Sequence, residues 1–188
     1  MKTNYFDELG AVFSGIKVSD AKGKFSSFPR TMTEISKIIV SRRRTSGKVL
    51  LIGNGGSASI ASHIATDFLK SCRIPALTFN DPSLLTCMSN DYGYGSVFAK
   101  PLEILAKKGD IVFTVSSSGK SPNILSAAAA AKKKGCYIIT LSGFSPDNPL
   151  RSKGNINFYV PSHSYGCVEI SHLAICHSIV DTMISKDY

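Results

Sequence analysis

The sequence predicts an α/β protein whose parallel sheet is covered by helices on both faces. Three observations carry this expectation: five short apolar, β-branched runs after residue 47, segments of helical length between them, and runs too continuously apolar for one face to meet water. A chain of 188 residues that is 43% hydrophobic buries one substantial core but is short for two. We therefore read a single domain, with residues 47–188 as the α/β core and residues 1–46 as a helical extension.

In the extension, residues 1–15 read as a short helix, residues 23–29 as a loop, and Met32, Ile35, Ile38 and Ile39 as one apolar stripe on a second helix. A helical face that a small sheet cannot cover points to an oligomer. The polar start Met1-Lys2-Thr3-Asn4 lacks the apolar region of a secretion signal, and no run approaches the roughly 18 apolar residues of a membrane span. The expectation is a soluble, cytoplasmic protein with no membrane partner.

The core strands are expected at residues 49–52, 76–79, 111–115, 137–141 and 156–160. Helix starts follow from Ser57 after a glycine turn and from Ser121-Pro122, a hydroxyl cap before a proline at the first helical position. Gly109 and Gly135 follow lysine-rich segments as helix stops.

The net charge of +9 and a pI near 9.4 suit nucleic acid, anionic surfaces or phosphorylated small molecules. The basic runs Arg42-Arg43-Arg44, Lys107-Lys108 and Lys132-Lys133-Lys134 each close a helical segment, where the helix dipole favours cations. No aromatic residues are interleaved with them, so nucleic acid is not the expected partner. The five cysteines, Cys72, Cys87, Cys136, Cys167 and Cys176, are odd in number and form no C-x-x-C pair. They read as reduced, buried thiols of a cytosolic protein.

Ligands of open parallel sheets collect at the carboxyl ends of the strands, so two loops stand out. Gly53-Asn54-Gly55-Gly56-Ser57 lets backbone amides approach a ligand at a helix start. It is not a dinucleotide fingerprint, because Ala58 stands where G-x-G-x-x-G needs glycine and no acid follows in residues 74–80. The second loop, Ser116-Ser117-Ser118-Gly119-Lys120-Ser121, gathers four hydroxyls at a helix head and suits a phosphate dianion. It is not a Walker A loop, since Thr114 takes the place of its first glycine. A plain glycine turn and a serine-rich cap are the structural alternatives.

His63 and Asp67 are four apart and share a helix face. Glu169 and His177 lie about two turns apart in an otherwise apolar final helix, with His172 between them on the adjacent face. Two histidines and two carboxylates could hold zinc or iron, or supply acid and base for proton transfer.

These motifs meet in one family. The residue 53–57 loop, the His63/Asp67 helix, Asn90-Asp91-Tyr92-Gly93, the serine loop, Ile139-Thr140-Leu141-Ser142-Gly143 and the final helix resemble the phosphoheptose isomerases over residues 31–186. The resemblance implies the three-layer sugar isomerase (SIS) fold, with a five-stranded parallel sheet between helices, an N-terminal helical extension and a homotetramer with active sites between subunits. It implies interconversion of sedoheptulose 7-phosphate and a heptopyranose 7-phosphate for bacterial surface polysaccharide. Carried over, Ser116, Ser118 and Ser121 would hold the phosphate with Ser117 nearby, Asn54 and Ser57 would touch the sugar, and Asp91 would face it; Gly55 and Gly56 are expected to bind the substrate through their backbone. Asp67 falls on the family's catalytic glutamate and His177 on its catalytic histidine. Some members bind zinc at the positions of His63, Asp67, Glu169 and His177.

Three departures accompany the resemblance. Asp67 is one methylene shorter than glutamate, Glu169 replaces a glutamine, and Gly166-Cys167 stands where Asp-Arg is usual. A non-catalytic phosphosugar sensor or adaptor is the competing reading, and the retained His63 and His177 favour the enzyme.

Overall fold

The computed structural model describes residues 4–186; the start at Met1-Lys2-Thr3 lies outside them. In chain order the elements are α1 (Tyr5–Ser14), β1 (Lys17–Asp20), β2 (Phe25–Ser26), α2 (Phe28–Arg43), β3 (Val49–Gly53), α3 (Gly56–Lys70), β4 (Ala76–Thr78) and α4 (Pro82–Tyr92). A 3-10 turn (Tyr94–Ser96), α5 (Ala99–Leu105), β5 (Ile111–Ser116), α6 (Pro122–Lys133), β6 (Tyr137–Ser142), a second 3-10 turn (Pro149–Ser152), β7 (Ile156–Tyr159) and α7 (Tyr165–Ser185) complete it.

All five expected strands form and run parallel in the order β7-β6-β5-β3-β4. Strand parity explains why they read as unbroken apolar runs. Leu51, Phe113, Val115, Leu141 and Phe158 face one core with α2, α3 and α7, whereas Leu50, Ile52, Val112 and Ile138 face a second core with α5 and α6. The sheet is thus the middle of three layers.

The extension departs from the expectation of helix alone. Residues 17–26 form a hairpin, β1 pairing antiparallel with β7 and β2 with β1, which brings the sheet to seven strands among the described residues. Its turn is closed by the Asp20 carboxylate, which accepts from the backbone N–H groups of Lys22 at 2.8 Å and Lys24 at 2.9 Å. Gly23 supplies the positive φ of 78° that such a turn needs. Asn157 ties the hairpin to the core by donating to the Asp20 carbonyl at 3.2 Å.

Lys107 and Lys108 also differ from the expected helix end. The helix α5 stops at Leu105, and the backbone N–H of Lys107 donates to the fully buried carboxylate of Asp110 at 2.9 Å. Lys48 completes that anchor from its backbone N–H at 3.0 Å and its ammonium at 2.6 Å. A buried carboxylate needs such partners, and here they fix the turn that enters β5. The final helix, 21 residues long with a mean hydropathy of 1.3 over its most apolar window, is long and apolar enough to cross a membrane by length and composition. Half of that window is buried within the fold, against the first core.

Candidate active site

Two helices begin at the carboxyl end of the sheet and carry the polar side chains. The strand β3 ends at Gly53, where a Cβ would stand 2.6 Å from the Ser57 backbone, so the turn into α3 closes only around glycine. Gly55 has φ 53° and Gly56 opens α3. Seven residues on, His63 and Asp67 share the outer face of α3 and meet His177 from α7. Asp67 Oδ2 lies 3.5 Å from His63 Nε2 and 3.6 Å from His177 Nδ1. The two imidazoles cross at 67° with ring centres 5.2 Å apart.

This triad tests as a metal site by its donor chemistry. Its three ligand atoms lie within 4.8 Å of one another. Nitrogen and oxygen ligands about 2.1 Å from a tetrahedral zinc stand roughly 3.4 Å apart, close to the two separations seen here. The side chains are partly exposed, which leaves room for a further ligand. Two imidazoles and one carboxylate therefore fit zinc. Glu169, the fourth residue of the expected set, is not part of this group. Its carboxylate lies against Gly56 instead.

Glu169 lines a second feature, a cavity of about 140 Å³ shared with Asn54, Ser57, Ser116, Ser117, Ser118, Ser121 and Tyr165. Here the serine loop departs from an ordinary cap. Ser121 occupies the N-cap of α6 but makes no side-chain capping bond, and its hydroxyl is 3.4 Å from that of Ser116. The Ser117 hydroxyl is buried without a partner. Hydroxyls left over at the positive end of a helix are what an anion requires. Gly119, at φ 62°, turns the loop with no room for a side chain against Asn148.

Of the residues expected at the site, Asn54, Ser57 and the four serines converge on this cavity with Glu169, while Gly55 and Gly56 form its turn. Asp91 does not reach it. On α4 its carboxylate accepts from Asn90 Nδ2 at 2.9 Å and Cys87 Sγ at 3.6 Å, and it is exposed; Cys87 is exposed beside it, unlike the four other cysteines, which are buried as expected. Gly166 and Cys167 lie inside the first turn of α7, whose cap is Ser164. The sequence reading missed Tyr165, at the cavity mouth, and Asn123, which holds Asn54 from α6.

Residues 25–143 match the SIS domain family. The chain is 35% identical over 180 residues to the phosphoheptose isomerase of Vibrio cholerae, covering 91% of this chain and 93% of the relative. The chain belongs to the phosphoheptose isomerase family. A member from Cytophaga hutchinsonii is 32% identical over 93% of this chain and 91% of its own. Among solved phosphoheptose isomerases, that of Francisella tularensis superposes with a TM-score of 0.83 at 28% identity, covering 96% of this chain and 95% of that one. The Neisseria gonorrhoeae enzyme superposes with a TM-score of 0.81 at 26% identity over the same shares. Both superpositions cover 96% of this chain, so it shares the phosphoheptose isomerase fold.

Proposed function

We propose that the chain is a phosphosugar isomerase that interconverts sedoheptulose 7-phosphate and its aldose for surface heptose biosynthesis. The observation that carries the reading is the Asp67 carboxylate flanked by two imidazoles on the helix that starts at the glycine loop. The serine cavity supports a phosphate anchor: Ser116, Ser118 and Ser121 would hold the dianion, with Ser117 behind them and the start of α6 supplying positive potential.

Asp67 acts as the base in this reading. It takes a proton from C1 of the ketose, the C–H electron pair forms the C1–C2 double bond, and O2 takes up negative charge. His177 moves the O1 proton to O2, and return of the first proton to C2 leaves an aldehyde at C1. Asn54, at the cavity edge, donates to the charged oxygen. A zinc ion held by His63, Asp67 and His177 would polarise the sugar carbonyl. A homotetramer fits the apolar residues exposed on the surface, Phe6, Leu69, Leu77 and Ile104 among them. A reducing, cytoplasmic setting fits five free cysteines.

The test is conversion of sedoheptulose 7-phosphate by purified protein with and without added zinc, products being separated by anion exchange. The Asp67→Ala, His177→Ala double variant is the control. Product from the wild type alone supports the isomerase; phosphosugar binding without product points to a sensor.

A further inference from the structure

Asn54 is held by a closed hydrogen-bond pattern that sets which of its atoms faces the cavity. Asn123, almost wholly buried in the first turn of α6, pairs with it amide to amide. Asn54 Nδ2 donates to Asn123 Oδ1 at 3.0 Å, and Asn123 Nδ2 donates to Asn54 Oδ1 at 2.8 Å. An amide pair of this kind could be reversed as a unit, exchanging every oxygen and nitrogen. One further bond prevents that. The backbone N–H of Ile124, which can only donate, is shared between Asn123 Oδ1 at 3.0 Å and the Ser121 carbonyl at 3.1 Å, and a reversed pair would turn the Asn123 NH2 group against it. It fixes the Asn123 amide, and Asn123 in turn fixes Asn54.

Tyr94, from the 3-10 turn after α4, adds a second donor to Asn54 Oδ1 at 3.1 Å. The Asn54 oxygen thus has two donors, while one Nδ2 hydrogen has no partner among the described residues. Asn54 can offer the cavity an N–H and little else.

We infer that Asn123 is a positioning residue, with Tyr94 its auxiliary, that locks Asn54 as a hydrogen-bond donor to a substrate oxygen bearing negative charge. The turnover part of this inference rests on the isomerase reading; the affinity part does not. A donor fixed before the charge develops needs no reorganisation during reaction, which is where such groups act most strongly.

The decisive variant is Asn123→Asp, which keeps size and shape. Its carboxylate still accepts from Ile124 and from Asn54 Nδ2, but its second oxygen then opposes Asn54 Oδ1. At neutral pH either orientation of the Asn54 amide leaves one of its two contacts oxygen against oxygen, so the pair opens and the donor loses its fixed position; turnover of sedoheptulose 7-phosphate is expected to fall by about a hundredfold. Protonation supplies an O–H that can donate to Asn54 Oδ1, restoring the native pattern. The ratio of variant to wild-type kcat, and of their affinities measured by calorimetry, is therefore expected to rise about tenfold between roughly pH 8 and pH 5. Tyr94→Phe, at an exposed position that leaves folding intact, is expected to lower kcat about threefold with KM unchanged. Ratios for Asn123→Asp that stay flat with pH, or a Tyr94→Phe enzyme with wild-type kcat, overturn the positioning role. A wild type without turnover, whose affinity ratio to the variant still follows pH, keeps the donor assignment and removes the isomerase reading. If Asn123→Asp does not fold, the Tyr94→Phe comparison decides.

Discussion

The carboxylate of Glu169 lies against the first residue of α3, so close that a Cβ on Gly56 would stand 2.5 Å from Oε2. Glu169 ends a flexible side chain, so Gly56→Ala displaces the carboxylate and leaves the fold intact. Because Glu169 also lines the serine cavity, it sets a negative charge beside the proposed dianion site. Glu169→Gln is expected to tighten inorganic phosphate about fivefold, the effect of roughly 1 kcal/mol of screened repulsion. Calorimetric titration checks it, and weaker binding by the glutamine variant would show that the carboxylate organises the site.

Asp67 offers a test by both shortening and neutralising. Asp67→Asn keeps the shape but cannot take a proton, and kcat is expected to fall at least about a hundredfold. Asp67→Glu lengthens the side chain to the glutamate that the resemblance implies and is expected to keep or raise kcat. Steady-state kinetics with sedoheptulose 7-phosphate separates the two, and a glutamate variant as inactive as the asparagine one would argue against a base at this position.

Removal of metal tests the triad directly. Dialysis against a chelator is expected to release about one zinc per chain from the wild type, read by elemental analysis, and none from His63→Ala, since two remaining ligands hold zinc poorly.

His172 makes acid stability measurable. It is fully buried in α7 without a hydrogen bond to either ring nitrogen, and burial lowers its pKa from 6.5 to about 4, opposed only weakly by the nearby Ser142 backbone. The folded state keeps this imidazole neutral while the unfolded chain protonates it below about pH 6.5. Stability is therefore full above that pH and falls as the pH drops toward 4, by up to roughly 3 kcal/mol. Melting curves of wild type and His172→Asn should diverge in slope across this window; parallel curves would mean that the ring is hydrated.

Gly119→Ala probes the serine loop. The positive φ and the collision with Asn148 add, and Asn148 is itself committed through Nδ2 to Ser142 Oγ, Gly143 O and Ser145 O. A loss of about 3 kcal/mol in denaturant unfolding is expected, together with loss of phosphate binding.

Strands and helix starts were legible because both sheet faces are buried, which writes Val49-Leu50-Leu51-Ile52 and its counterparts as plain apolar runs. The hairpin at residues 17–26 was hidden: Lys17-Val18-Ser19-Asp20 is short and polar, and becomes a strand only because β7 offers an edge. The triad was visible through helical spacing on α3 and α7. Asn123 was not, since its bond to Asn54 spans 69 residues and no local pattern records it. Glu169 was placed with the histidines by helical spacing and by the family resemblance, neither of which tells which way a side chain turns.

The pairing of Lys17 with Tyr159 joins the first strand among the described residues to the last. A ribosome delivers β1 long before β7 exists, so the hairpin waits without its partner until β7 has been made. The sheet then closes only once β7 has been made, and the hazard is the interval in which an uncovered β7 edge can meet a neighbouring chain before β1 closes it.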